Sequence, residues 1–192
     1  MKGRESGMPT KEVWEKFFHP AEALGVMGLD STVKDVVEFG CGYGTFTIPA
    51  ARIIAGTIYA IDVEADMVEA TRTAAASAAL RNVNVMRRDF VAEGTGLKAA
   101  SVDYAMLFNI LHIEHPETLL KEAWRILRIG GKLGIIHWNY DPATPRGPSM
   151  DIRPKPAQCV AWAEAAGFGN LRQRNLPPYH YGIVMNRQAA PA

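Results

Sequence analysis

The stretch VVEFGCGYG, residues 36–44, is an apolar run carrying one acid, Glu38, and it gives way to glycines at 40, 42 and 44. A short Val-rich run that ends at glycine reads as a buried strand, and residues 33–39 are expected to form it. Glycines at alternate positions permit tight left-handed turns and let backbone approach a ligand closely. The segment that follows, TFTIPAARIIA, reads as a helix closed by Gly56. A strand turning on bare backbone into a helix offers the unpaired N–H groups of the helix start to whatever binds there. The dinucleotide fingerprint requires a glycine five places after the first, and Thr45 stands there instead. That spacing counts against a nicotinamide dinucleotide and suits a different adenosine ligand. Glu38 points the same way, since an acid beside the turn repels a pyrophosphate and attracts a cation.

Further strands are expected at 57–62 (TIYAID), 83–88 (VNVMRR), 102–108 (VDYAMLF) and 132–138 (KLGIIHW). Helices fall between them, over the Ala-rich residues 64–80 and over 116–128. Pro116 suits the first helical position, where a missing donor costs nothing, and the pair Gly130-Gly131 is expected to stop that helix. Five prolines from Pro142 to Pro156 mark a stiff loop. A helix over 157–166 and strands near 169–175 and 179–186 complete the chain. The last two strands have no crossover between them, so they pair as an antiparallel hairpin. Strand–helix alternation of this kind predicts an α/β, three-layer, Rossmann-like fold with a mostly parallel seven-stranded sheet. Upstream, residues 1–9 are expected to fray. Residues 10–29 should form one or two short helices broken near Pro20, with Val13, Trp14, Phe17 and Phe18 on one side.

The length of 192 residues suits a single domain. Hydrophobic residues at 48% and charged residues at 21% exclude a disordered chain. Lys plus Arg at 21 against Asp plus Glu at 20 leaves a formal charge of +1, low for a protein whose task is to coat phosphate backbones. Cys41 and Cys159 cannot make a disulfide framework, and no Cys/His spacing reads as a zinc site. With no apolar run long enough to span a bilayer, a soluble cytoplasmic protein without membrane or nucleic-acid partners is expected. Oligomeric state is not legible.

Glu38-x-Gly40-x-Gly42-x-Gly44 resembles the first motif of the class I S-adenosylmethionine-dependent methyltransferases, nearest to their small-molecule, type 11 branch. The resemblance spans roughly residues 33–138 and continues in order. Asp62, beside Val63 and Met67, stands where the family holds the ribose hydroxyls. Asp89-Phe90 stands where it holds adenine, through the Asp89 carboxylate and the Phe90 backbone. Asn109-Ile110-Leu111-His112 is similar to the stretch lining the methionine end, and Leu127-Arg128-Ile129-Gly130-Gly131 to the Leu-x-Pro-Gly-Gly turn, with Ile129 in place of proline. The resemblance implies S-adenosylmethionine as cofactor, S-adenosylhomocysteine as product and a small-molecule acceptor. It implies a core at 33–138, an N-terminal helical lid at 10–29, and a substrate loop, helix and hairpin at 139–192.

Several of these residues have ordinary structural roles open to them. Asp62 could cap the helix after it, Asp89 could close a turn, and Met67 could fill core. Cys41 reads as a small residue fitting the turn, not a nucleophile. If the acceptor needs a base, His112 is the candidate, ahead of His115 and His137. Arg146 and Arg153 in the proline-rich loop could clamp an acidic substrate or simply be solvated. The hairpin stretch Asn175-Leu176-Pro177-Pro178-Tyr179 lies on the wrong strand to be a base-methylation motif. The alternatives to an enzyme of this family are a non-catalytic module that binds the same cofactor and a nucleotide-dependent oxidoreductase.

Overall fold

The computed structural model describes residues 9–189. Their order is α1 (Lys11–Trp14) running into a 3₁₀ turn (Glu15–Phe17), α2 (Pro20–Val26), β1 (Val36–Phe39), α3 (Thr47–Ile53), β2 (Ile58–Asp62), α4 (Ala65–Ser77), β3 (Val83–Arg87), β4 (Val102–Phe108), α5 (Pro116–Ile126), β5 (Leu127–Trp138), α6 (Pro156–Ala165), β6 (Phe168–Leu176) and β7 (His180–Arg187). The seven strands form one sheet in the order β3-β2-β1-β4-β5-β7-β6. The first five are parallel, and β7 runs antiparallel to both β5 and β6. This is the expected three-layer α/β arrangement with its closing hairpin. The expectation for residues 1–8 lies outside the described residues.

The strand side chains alternate between two apolar clusters, as the period of two demands. Val37, Phe39, Ala105 and Leu107 face α5 and α6, together with Leu119, Ala123 and Ala163. Val36, Tyr104, Met106 and Phe108 face the other layer, together with Leu24 of α2 and Ala50 of α3. Central strands buried on both faces have no polar side, so β1 and β4 read as continuous apolar runs. Glu38 breaks that run on the α3 side.

Several boundaries differ from expectation, among them the start of β5, expected at 132 and found at Leu127. β1 begins at Val36, not at residue 33, because the N–H groups of Lys34 and Asp35 donate to the Asp103 carboxylate instead of to a carbonyl of a neighbouring strand. The helix expected over 116–128 ends at Ile126, ahead of Gly130-Gly131. Leu127 already pairs with Val102, and the register then shifts between Val102 and Tyr104. The glycine pair therefore sits inside an irregular strand. A side chain on Gly131 would meet the Arg128 carbonyl at 2.8 Å, so this bend requires bare backbone.

Tyr104 is fully buried on β4 and donates its hydroxyl to the Met27 carbonyl at 2.9 Å, fastening the segment after α2 to the sheet. A Cβ on the neighbouring Gly134 would stand 2.8 Å from the Tyr104 ring carbon Cζ. Gly134→Ala should therefore cost about 1–3 kcal/mol through overpacking. Chemical denaturation measures it, and an unchanged midpoint would contradict this packing.

Candidate cofactor site

The strand order reverses between β1 and β4, and ligands in open α/β sheets bind beyond the carboxyl ends of the strands at such a point. The glycine turn leaves β1 there. Gly40, Gly42 and Gly44 have φ of 76°, 54° and 77°, which disfavour side chains. Gly40 N–H and Cys41 N–H both donate to the Ile61 carbonyl, at 2.8 and 3.0 Å, so the turn folds against the end of β2. A Cβ on Gly40 would lie 3.0 Å from Ile110, and one on Gly44 would lie 3.2 Å from the Thr71 hydroxyl.

Asp62 fixes the turn from the side. One of its oxygens accepts Gly42 N–H at 2.9 Å, and the other accepts Glu64 N–H at 3.0 Å, ahead of α4. Thr71 on α4 donates to the Gly42 carbonyl at 2.8 Å. Asp62 is buried, and burial pushes its carboxyl up against the opposing pull of these N–H donors. It thus supports the start of α4 and also faces a cavity.

Gly40, Gly42, Asp62 and Asn109 line one cavity of about 180 Å³. Asn109 follows the end of β4 in a left-handed conformation, φ 53°, which Asn tolerates better than most residues. Its backbone N–H is held by the Ile136 carbonyl at 2.7 Å. Its side-chain nitrogen and oxygen are both buried without a hydrogen-bond partner among the described residues. A buried amide left unpaired costs about 1–3 kcal/mol, so an observed one calls for a ligand or water.

The other expected site residues lie outside this cavity's lining. Glu38 lies beneath the turn, 3% exposed, and accepts the Thr47 hydroxyl from α3. Burial, with repulsion from Asp62 and against the Thr47 bond, pushes its carboxyl up to about 8. In neutral solution it therefore holds its proton, where the sequence suggested a charge facing a cation. Cys41 is buried and its thiol is pushed up, first by burial and then by Glu38 and Asp62, so no thiolate forms. Val63 and Met67 are half-buried at the start of α4, and Met67 belongs to neither apolar cluster. Asp89 accepts Ala92 N–H at 3.0 Å, the turn-closing role open to it. The Phe90 ring packs edge-on against Phe39 at 5.5 Å.

His112 lines a neighbouring cavity of about 510 Å³, with Tyr140 and Lys155, and not the one that holds Asn109. Burial pushes it down to about 4, so it is neutral, and its Nδ1 is buried without a partner among the described residues. His115 is exposed beside Glu117, and His137 is fully buried. Arg153 is neither a substrate clamp nor solvated. It is buried, and its guanidinium donates to the carbonyls of Asn139, Asp141, Arg146 and Pro148, stapling the proline-rich loop.

Trp14, Phe108 and Trp138 are the aromatic walls of the cavity, and of these only Trp14 belongs to a segment the sequence singles out for the site, the expected lid. Gly147, φ 120°, presses the loop onto Trp138, for a Cβ there would meet the indole at 2.8 Å. Phe108 and Trp138 are the last residues of their strands, and that position was the available signal. The N-terminal segment also reaches the site. The Pro9 carbonyl accepts the Tyr43 hydroxyl at 3.0 Å, and the Trp14 ring stands 6.3 Å from Trp138.

The raised Glu38 gives a pH prediction. A glutamate carboxyl ordinarily titrates near 4.5 and this one at about 8 when folded, so the native state holds a proton the unfolded chain has lost. The stability this contributes is complete below 4.5 and is lost as pH rises through 8, at up to about 1.4 kcal/mol per pH unit. The unfolding free energy of the wild type minus that of Glu38→Gln should therefore fall between about pH 5 and pH 8. A difference that is flat across that window in parallel denaturation series would overturn the protonated assignment.

A family model described as a methyltransferase domain matches residues 36–131, half of the chain. An aklanonic acid methyltransferase of Streptomyces sp. (strain C5) is 31% identical over 54% of this chain and 48% of its own length. A chloroplastic 2-methyl-6-phytyl-1,4-hydroquinone methyltransferase of Oryza sativa is 26% identical over 85% of this chain and 49% of its own. The chain thus spans about half the length of these curated relatives. The crystal structure of a SAM-dependent methyltransferase from Aquifex aeolicus superposes with a TM-score of 0.80 at 23% identity, covering 92% of this chain and 93% of the other. The match across β1 to β5, with its glycine turn and strand-end acids, makes this chain a member of the class I S-adenosylmethionine-dependent methyltransferase family.

Proposed function

We propose that the protein transfers a methyl group from S-adenosylmethionine to a small-molecule acceptor, and that the cavity between the glycine turn and Asn109 holds the cofactor. One observation carries most weight. A buried carboxylate on β2 and an unpartnered buried amide just after β4 face one cavity across a turn of bare backbone. Such a donor and acceptor set fits a ligand with ribose hydroxyls at one end and an amino acid at the other. When bound, S-adenosylmethionine supplies a methyl group on positively charged sulfur, so catalysis needs alignment and exclusion of water more than an enzyme nucleophile.

The chain's residues then divide the work. Asp62 accepts from the ribose hydroxyls, with Val63 and Met67 beside it. Gly40 and Gly42 give backbone approach, with Cys41 and Gly44 shaping the turn. Asp89 and the Phe90 backbone hold adenine, and Asn109 meets the methionine end. Glu38 stands ready to release its proton when a cation settles above it. His112 serves as base only for an acceptor that extends into its cavity. The lid role of residues 10–29 is supported by Trp14, which lines the cavity, and by the Tyr43–Pro9 bond.

The two curated relatives named above act on aklanonic acid and on a hydroquinone, which supports a small-molecule acceptor. The balanced net charge supports the absence of a nucleic-acid partner. No helix among the described residues is long and apolar enough to cross a membrane. A cytoplasmic site of action is part of the same proposal.

Thermal shift tests the cofactor directly. S-adenosylhomocysteine should raise the melting temperature and NAD should not, and the reverse pattern would overturn the proposal. In titration calorimetry Asp62→Ala should weaken S-adenosylhomocysteine binding by about 1–3 kcal/mol, the cost of stranding partners of a charged hydrogen bond. Unchanged affinity would remove Asp62 from the site.

A further inference from the structure

We infer that the methyl acceptor has an apolar, ring-sized body that seats against Trp14, Phe108, Ile110 and Trp138, and does not occupy the polar cavity lined by His112. This rests on the methyl-transfer proposal above. Strand order arranges the lining of the cofactor cavity in a row. Asp62 ends β2, Gly40 and Gly42 follow β1, Phe108 ends β4 with Asn109 and Ile110 after it, and Trp138 ends β5. Adjacent strands are about 4.8 Å apart, so the cavity runs across the sheet with its polar groups at the β2 and β1 end. Past Asn109, toward β5, the strand ends and α1 contribute apolar side chains, and the proline-rich loop adds Arg146 and Gly147 to the lining.

That apolar end is a firm wall. Trp138 is 2% exposed and lies edge-on to Phe17 at 5.2 Å and close to His180 at 4.3 Å. Phe108 packs edge-on against Phe46 at 5.0 Å. Arg153 holds the loop carbonyls that set Gly147 against the Trp138 indole. Trp14 is the more exposed ring and arrives from α1, so it closes over the ligand while Trp138 and Phe108 back it. A polyhydroxylated acceptor would find few hydrogen-bond partners along Trp14, Phe108, Ile110 and Trp138 and would lose most of its water uncompensated, while Arg146 is the one cationic side chain on the same lining. An apolar ring gains from the same burial and from edge contacts with the aromatic walls. The cavity lined by His112 is of the opposite character, with Tyr140, Lys155 and Gln158 around it.

The test uses the full chain saturated with S-adenosylhomocysteine and 2-naphthol as the ring probe, with glucose as the polar comparison, read by titration calorimetry. 2-Naphthol should bind and glucose should not. Trp14→Ala should weaken 2-naphthol at least tenfold, with Trp14→Phe restoring most of it, while Tyr140→Ala in the other cavity leaves it unchanged. The inference is overturned if 2-naphthol fails to bind the saturated chain, if Trp14→Ala is without effect, or if Tyr140→Ala is the variant that abolishes binding. S-adenosylhomocysteine affinity is measured on every variant. Its loss in the wild type would sink the methyl-transfer proposal itself, whereas its retention beside absent 2-naphthol binding sinks only the acceptor assignment.

Discussion

The hydrogen bond from Gly42 N–H to the buried Asp62 carboxylate, 2.9 Å long, joins the turn after β1 to the end of β2. Without it the glycine turn would be a flexible link, since glycine gives up more conformational freedom on ordering than any other residue. With it, three residues with positive φ are held in one arrangement, and the backbone at Gly40 and Gly42 is presented to a cavity. The bond also keeps a carboxylate inside the protein at the place where hydroxyl donors of a ligand would arrive. Thr71 supports the arrangement from α4, so two helices and two strands converge on a turn with glycine at every second position.

Beneath the turn, Glu38 shows how an acid can sit in a packed layer. Desolvation, helped by the nearby charge of Asp62, prevails over the single donor Thr47, so the group stays protonated near neutrality. A cation settling above the turn would favour the ionised form. Under the proposed function, occupation of the site and the protonation of Glu38 are linked, with the charge of Asp62 acting on both. The opposite end of the cavity works by different physics. There Trp14, Phe108 and Trp138 supply apolar surface, and a buried guanidinium, Arg153, is used on loop carbonyls and the Thr144 hydroxyl to keep that surface in place.

Much of this was legible in the sequence because it is local. The limits of β4 are legible because a seven-residue stretch, apolar but for Asp103, follows a loop. The glycine turn, Asp62 and Asn109 were found because each lies at a strand end on the same rim. What escaped needed knowledge of partners distant in the chain. The early end of α5 follows from pairing of Leu127 with Val102, and no property of residues 116–131 announces it. Arg153 resembles any loop arginine until the loop is folded around it. His112 follows Asn109 by three residues, yet the chain turns between them, so the two face different cavities. The protonated state of Glu38 likewise comes from α3 packing over it, which the motif alone does not convey.

A crystal structure of the chain with S-adenosylhomocysteine bound addresses the account most directly. The expected result has the ribose hydroxyls on Asp62, the Asn109 amide engaged by the amino-acid end, and the ligand in contact with backbone at Gly40 and Gly42. A ligand found elsewhere, with Asp62 still bonded only to Gly42 and Glu64 and the Asn109 amide still unpaired, would contradict it.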